Sequence, residues 1–518
     1  MNPKMTEQLD QLFHLWDRGL CPGAQAVIRQ HGETLYEKYF GYANLEHEIK
    51  IKEDSIFHVA SISKEFTVLA VLLLWKDGKL DLDDDIHKYL AEYINIDTPI
   101  TIRQMMNNVS GLRDQWELLF LRGITINDQI TLEDINKTIS LQTGLNFEPQ
   151  SQYLYSNTGF HLLALLVEKL SGMKFPQFVK EHIFTPLGMT HSFVRESYTQ
   201  IVPKLAYSYE DLGDGNFYYH PLNYCLYGPT SVNSCALDLC KILDEYIHPD
   251  KIDPEIVDIM KTPAILSNGK PSEYCAGLKT HKLHGMDVFE HSGADAAYRG
   301  EVYCIPEIEL EIALISNTTT YPMGKLADQA ACIVLGLPDC TQPEIPEHTS
   351  APAWSGLFVT SLPADPLLVD IFEKEGSLFV KKLWCDTKLV PEEDGGYRVG
   401  TLDEKIYFTD DGILYQLPKG VVTLTPAAPA DPDLFKEGKY YNDETDSYIT
   451  LTKTGNTCEL CSDRFGKTVL YTGKTGDIMF YMDVEFTMYV KPNADTLIMD
   501  GGRIKHIKYK KMSESSFG

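Results

Sequence analysis

Basic residues are scarce in this chain: 46 Lys and Arg stand against 74 Asp and Glu, a formal net charge of −28 over 518 residues. Such a surface repels phosphate backbones and anionic headgroups, which argues against nucleic-acid and lipid-surface functions. Long hydrophobic runs are missing too. The longest, Val68 to Trp75, falls far short of the roughly 20 apolar residues that cross a bilayer. No basic start followed by an apolar stretch opens the sequence, where Asp10 and Asp17 already stand, so no secretory leader is expected. The eleven cysteines are odd in number and lack framework spacing, as reduced thiols of a cytoplasm would. His-Glu-x-x-His, a glycine-rich phosphate loop and a Gly-x-Ser-x-Gly elbow are all absent. What is present, 43% apolar and 23% charged residues, is material for more than one globular core.

Two proline-rich breaks, Pro338 to Pro352 and Pro426 to Pro432, divide the chain. The expected units are 1–340, 353–425 and 433–518. In the first, Ala24–Ile28 and Thr34–Phe40 flank His31-Gly32 as a hairpin. Helical segments follow at Ser63–Lys76, Gly159–Leu170 and Phe175–Ile183, and Ser171-Gly172 stops the second. Asp287–Glu290, Glu301–Cys304 and Glu309–Ser316 then read as strands. Strands at both ends with helices between predict an α+β sheet closed by its own termini. The other two units are short strands separated by turns such as Asp394-Gly395-Gly396 and Asp500-Gly501-Gly502, the pattern of antiparallel barrels. They open alike, with Gly356-Leu357-Phe358 and Gly438-Lys439-Tyr440, a weak internal duplication.

Chemistry concentrates in the first unit. An extended approach ends at Ser61, where an apolar helix begins, and Lys64 follows one turn on, within reach of the hydroxyl. A desolvated lysine can take a serine's proton, and a helix start favours both an oxyanion and a neutral amine. Ser-x-x-Lys alone is weak, since Ser171–Lys174 and Ser267–Lys270 match it without a helix beginning there. Tyr155-Ser156-Asn157 precedes a second apolar helix and offers a phenol for proton relay and an amide for a substrate carbonyl. His291-Ser292-Gly293-Ala294 ends a strand. There Gly293 lets a ligand lie against the edge, and the Ala294 amide can join that of Ser61 as an oxyanion donor.

Taken in this order, with 94 residues from Ser61 to Tyr155 and 136 from Tyr155 to His291, the segments resemble the serine β-lactamase and penicillin-binding-protein family, its class C-like branch above all. Asn108-Val109-Ser110-Gly111-Leu112, Phe147-Glu148-Pro149 and Ile183–Met189 are similar to that family's wording. The resemblance covers residues 1–340. It implies a β-lactamase/transpeptidase-like catalytic domain that works through an acyl-enzyme, with Ser61, Lys64, Tyr155 and His291 catalytic, the amides of Ser61 and Ala294 as oxyanion donors, and neither metal nor cofactor. Asn157, Gly293 and Arg299 would bind substrate. His291 stands where the family often has a fixed lysine cation, which weakens carboxylate recognition. Literal Lys-Thr-Gly at Lys453–Gly455 and Lys474–Gly476 falls in turns of the third unit and is set aside.

A catalytic domain followed by two eight-stranded barrels resembles bacterial D-aminopeptidases of this family. In those enzymes an acidic loop of the last barrel meets the substrate amine. The corresponding stretch here, Phe480–Phe486, reads as a continuous strand or tight hairpin, shorter than that loop, with Asp483 and Glu485 as candidates. The expected activity is hydrolysis of small amides or peptides with an N-terminal D-residue. Esterase, acyl-transfer, DD-carboxypeptidase or weak β-lactamase activity and a silent ligand sensor stand as alternatives. The expected partner is a small-molecule or peptide substrate, with no nucleic acid or membrane, and a homodimer is allowed. Cys458-x-x-Cys461 lies in a strand with its sulfurs on opposite sides, and His161 reads as a core histidine.

Overall fold

A strand near the start of the chain pairs with one near residue 310, and this pairing organises the first unit. In the computed structural model, residues 3–125, 127–213, 215–339, 346, 351–362, 364–381, 386–400, 404–417, 420–462, 466–483 and 486–513 are described. β1 (Ala24–Gln30) and β2 (Glu33–Phe40) form the expected hairpin. α1 spans Ser63–Lys76, α2 Gln115–Leu121 and α3 Asn157–Ser171. β3 (Lys279–Leu283), β4 (Met286–Asp295), β5 (Tyr298–Ile305) and β6 (Leu310–Ser316) follow. The six strands make one antiparallel sheet in the order β3-β4-β5-β6-β1-β2, so the two ends of the unit meet at β6 and β1, from Ala24 opposite Ser316 to Gln30 opposite Leu310.

Alternation along β4 and β5 gives the sheet two covered faces. Phe289, Val302 and Cys304 face the cluster built around α1, whereas Val288, Tyr303 and Ile305 join a second cluster with α4 (Met323–Leu335). α4 is a helix that no pattern in the sequence analysis singled out. α1 is buried on nearly every side, from Ser63 to Leu72, which explains why its sequence is apolar all round. α3 ends as expected at Gly172, whose φ of 72° is the left-handed conformation that closes a helix. The segment expected as one helix over Phe175–Ile183 is α-helical only to Val179 and continues as a π turn over Lys180–Phe184.

Beyond the first unit, eight strands between Gly356 and Pro426 close into an antiparallel barrel. Ten strands between Ala428 and Lys511 form one further antiparallel sheet, two more than expected. The difference begins in the second proline-rich break: Ala428–Pro429 is an edge strand paired to Tyr471–Thr472 and not a free connector. Most of the first break, 340–345 and 347–350, lies outside the described residues. Lys453-Thr454-Gly455 closes a hairpin, as anticipated, and Lys474-Thr475-Gly476 forms a turn.

The last sheet is docked on the first unit. Leu118, Phe120 and Leu121 of α2 are buried in the same cluster as Tyr440, Leu451, Leu460 and Ile504. Around this plug lies a polar ring. Arg113 Nη1 donates to Glu444 Oε1 at 2.7 Å, and the Thr143 amide donates to the same oxygen at 2.8 Å. Asn146 Oδ1 accepts from the Lys505 amide at 2.7 Å, and its Nδ2 donates to the Arg503 carbonyl at 3.0 Å. Barrel and last sheet meet through Val359, Leu368, Met479 and Tyr489.

Leu118→Ala removes the buried head of this plug and is expected to cost about 2–5 kcal/mol. Calorimetric unfolding checks it: the transition that includes the last sheet should move down, and an unchanged trace would show that α2 does not hold the sheet.

Candidate active site

The chain reaches the candidate nucleophile under strain. Ala60 has a φ of 49°, a conformation a residue with a Cβ rarely adopts, and a 3₁₀ turn over Ala60–Ile62 then feeds α1. This turn packs on β4. A Cβ on Gly293 would sit 2.2 Å from the Val59 carbonyl oxygen, so only glycine lets β4 approach the strand that delivers Ser61. β3 pairs with β4 only as far as Glu290, which leaves residues 291–295 bounded by β5 on one side and by the Ser61 turn on the other. Ala294 is exposed on that edge.

Lys64 is buried, and its Nζ lies 3.0 Å from Ser61 Oγ, 2.9 Å from Asn157 Oδ1 and 2.9 Å from the Pro229 carbonyl oxygen. Burial drives its pKa well below 10.5; Asp114 pulls the other way, while Arg503 and Lys279 reinforce the fall. A neutral amine has two N–H bonds and one lone pair. The two carbonyl oxygens can only accept, so they take both N–H bonds, and the lone pair is left for the Ser61 hydroxyl.

Each partner is placed by its own support. Asn157 starts α3, and its amide orientation is fixed because Nδ2 and the backbone N–H donate to Asp114 Oδ2 at 2.8 and 2.7 Å. Pro229 sits in a turn pressed on α3, where a Cβ on Gly228 would meet the Phe160 carbonyl oxygen at 2.2 Å, and Thr67 Oγ1 donates to the Gly228 carbonyl at 2.7 Å. Tyr155 follows a segment held by Asn108, whose carbonyl accepts from Leu154 N at 3.1 Å and whose Oδ1 accepts from Ser156 N at 3.0 Å. The neighbouring Gly111, at φ 76°, would place a Cβ 2.2 Å from the Phe147 carbonyl oxygen, so the Ser-Gly-Leu and Phe-x-Pro stretches touch.

Lys64 Nζ stands 4.8 Å from the centre of the Tyr155 ring. Burial holds the phenol above its ordinary value of 10, although the neighbouring Ser61 hydroxyl pulls it down, so it is a neutral proton donor. His291 is buried beside it, with ring centres 6.2 Å apart. His291 Nδ1 lies 2.8 Å from the Ser292 carbonyl oxygen, which can only accept, so Nδ1 carries the proton and Nε2 accepts from Tyr274 Oη at 3.0 Å. Burial, then Lys64 and Lys279, push its pKa well below 6.5. Both ring nitrogens are thus engaged inside the protein.

Arg299 Nη1 donates to the carbonyls of Ala296 and Tyr298 at 2.9 and 2.8 Å, bracing its own turn. At that turn Asp295 accepts from Tyr224, from Thr230 at 2.9 Å and from His58 at 3.0 Å; burial raises its pKa, but these bonds bring it below the usual carboxylate value. Asp483 ends the strand Ile478–Asp483, which pairs in a tight hairpin with Phe486–Asn493; its side chain and the whole of Glu485 lie outside the described residues. The described stem of that hairpin packs on the barrel through Met479 and Tyr489.

The contribution of the last sheet enters elsewhere. Arg503 Nη1 lies 3.5 Å from Asp114 Oδ2, and Arg503 N donates to Glu117 Oε1 at 2.8 Å. A relay of contacts thereby runs from Arg503 through Asp114 and Asn157 to Lys64. Sequence reasoning missed Asp114, Pro229, Tyr274 and Arg503; only Gly501-Gly502, noted as a turn, hinted at the last. A Cβ on Gly501 would lie 2.3 Å from Glu117 Oε2, so the turn and the Glu117 carboxylate pack closely on one another. His161 is the core histidine expected, 2.7 Å from Asn136 Oδ1 and pushed down to about 4 by burial. Cys458 is buried and Cys461 half-buried, both as free thiols. No helix among the described residues is long and apolar enough to cross a membrane.

Comparison with known proteins agrees with this geometry. The Beta-lactamase family matches residues 9–334. A penicillin-binding protein of Bacillus subtilis is 32% identical over 316 residues, 58% of this chain and 68% of the relative. A D-aminopeptidase of Gluconobacter oxydans is 27% identical over 61% of this chain and 59% of its own length, and one of Cereibacter sphaeroides is 25% identical over 75% and 72%. In three dimensions, the octameric penicillin-binding protein homologue of Pyrococcus abyssi matches 90% of this chain and 99% of its own at a TM-score of 0.58 and 21% identity, which speaks to the fold. With a family match over more than half its length and the fold to go with it, the chain belongs to the Beta-lactamase family of serine hydrolases.

Proposed function

We propose that this protein hydrolyses small amides or peptides through an acyl-enzyme on Ser61. The observation that carries the reading is the buried Lys64 amine, whose lone pair is left facing the Ser61 hydroxyl. As Ser61 Oγ bonds to the substrate carbonyl carbon, its proton passes to Lys64 Nζ. The carbonyl π electrons move to oxygen, where the amides of Ser61 and Ala294 receive the charge. Collapse breaks the bond to the leaving amine, which takes the Tyr155 proton, and Tyr155 is reprotonated from Lys64. Water then repeats the sequence on the acyl-enzyme. Asn157 and Pro229 orient the amine, and His291 with Tyr274 sets the shape of the 291–294 edge.

For the substrate, the resemblance to D-aminopeptidases in sequence supports an N-terminal D-residue. A second reading has its own observation: the described residue that the last sheet sends toward the site is the cation Arg503, not an acid. A cation does not attract a substrate ammonium, so N-blocked amides and esters gain weight.

Four variants test the machinery. Ser61→Ala and Lys64→Gln should each lower kcat/KM by about 1000-fold or more, and Tyr155→Phe by roughly 100- to 10,000-fold, with the fold intact. Lys64→Arg should be inactive at every pH, because a guanidinium keeps its proton. Substantial turnover by Ser61→Ala would refute the acyl-enzyme.

The pH profile follows from the same burial. The Lys64 amine is basic only when unprotonated, so kcat/KM should rise with pH through a midpoint well below 10.5. His291 is neutral above its depressed pKa and should add no limb near 6.5, and the alkaline fall from Tyr155 should come above pH 10. A titrating limb that His291→Gln removes would contradict the assignment.

D-aminoacyl anilides, their N-acetylated counterparts and simple esters separate the two substrate readings. Preference for the free amine supports the D-aminopeptidase reading. Equal or better cleavage of N-blocked compounds defeats it in favour of the second.

A further inference from the structure

A cavity of about 770 Å³ opens beside the turn between β4 and β5, and none of Ser61, Lys64, Tyr155, Asn157 or His291 lines it. Its walls come from residues 43–55 and 195–223, with Tyr298 from the start of β5. Four cations line it, Lys50, Lys52, Arg195 and Lys204, against one carboxylate, Asp54, in a chain whose formal charge is −28. Asp54 is already paired with Lys204. Lys50 lies over the Tyr42 ring, 5.9 Å from its centre, and has no carboxylate partner among the described residues.

Arg195 is held in place without being satisfied. Its Nη2 donates to the carbonyls of Tyr198 and Gln200 at 2.5 and 2.9 Å, which wraps the turn around it. Its Nη1 makes no hydrogen bond among the described residues and is not shut off from solvent, which leaves that edge of the guanidinium open. A solvent-facing guanidinium edge in a wall that also carries lysine ammoniums favours an anionic oxygen. The apolar part of the wall is aromatic. Tyr207 and Tyr219 stay 41% and 43% exposed with ring centres 5.3 Å apart. Cations beside exposed rings fit a ligand with a charged head and a flat or branched body.

We propose that this cavity is a second binding site, for a small carboxylate with an aromatic or branched apolar body. The head is received by Lys50, Lys52 and Arg195, and the body by the tyrosines. A free organic acid and the C-terminal end of a short peptide share this chemistry. The site stands whether or not the hydrolase reading does, because it uses none of the catalytic side chains.

Calorimetric titration of the full chain with 3-phenylpropionate, its neutral amide 3-phenylpropanamide, and N-acetylglycylphenylalanine tests this. A carboxylate should bind at least about 10-fold tighter than the amide, and high salt should weaken it. Tighter binding of 3-phenylpropionate assigns a free acid as the source, and tighter binding of the peptide assigns a chain end. The double variant Lys50→Ala, Lys52→Ala alters exposed side chains and should melt as the wild type does, yet lose at least about 10-fold in carboxylate affinity, while Lys50→Arg, Lys52→Arg retains it. Ser61→Ala should bind as the wild type does. Equal binding of acid and amide, wild-type affinity in the double alanine variant, or no binding of either carboxylate at millimolar concentration would each overturn the proposal.

Discussion

Everything at this site depends on keeping one amine uncharged and surrounded. Lys64 has no access to water, so its ammonium form pays a desolvation penalty that the nearby carboxylate of Asp114 only partly offsets. The three oxygens around Nζ then sort themselves by valence. Two are carbonyls and take the N–H bonds, and the third is the only hydroxyl. Losing Asn157 or the Pro229 turn would free an N–H, and the lone pair would no longer be confined to Ser61. The Ser61–Lys64 pair is thus specified by groups on other elements of the fold.

Those groups extend well beyond the catalytic unit. Asp114 caps α2 at the Trp116 amide, 3.0 Å away, fixes Asn157 twice, and faces Arg503 of the last sheet. The same α2 buries Leu118, Phe120 and Leu121 in the core of that sheet. One short helix therefore serves as the mechanical plug of the C-terminal unit and as the anchor of the network behind Lys64. The last sheet is part of the electrostatics of the site, and its described residue there is a cation.

Much of this was legible because it is local. Ser61 and Lys64 are one turn apart, Tyr155 and Asn157 flank a helix start, and stretches of β4 and β5 alternate at period two. Gly111 and Gly293 stand in recognisable motifs, and the structure supplies the reason: each allows a carbonyl oxygen to approach at a distance no Cβ permits. What could not be read is what acts through the backbone or across hundreds of residues. Pro229 works through its carbonyl, which no side-chain pattern reveals. Tyr274 matters only because Nδ1 of His291 is committed to Ser292. Arg503 is one arginine in a turn whose bond to Glu117, 386 residues away, exists only in the folded chain. Pro426–Pro432 joins the barrel to the last sheet, but two of its residues are paired, which the sequence did not reveal: an edge strand tolerates proline, and Ala428–Pro429 occupies such an edge.

The charge state of Lys64 is the claim on which the account rests most directly. Lysine side chains labelled with carbon-13 at Cε, with the Lys64 resonance assigned through Lys64→Gln, can be followed by NMR across a pH titration of the folded protein. A midpoint well below 10.5 is the result predicted here. A Lys64 that stays protonated up to or above 10.5 would contradict the account, because no lone pair would then face Ser61.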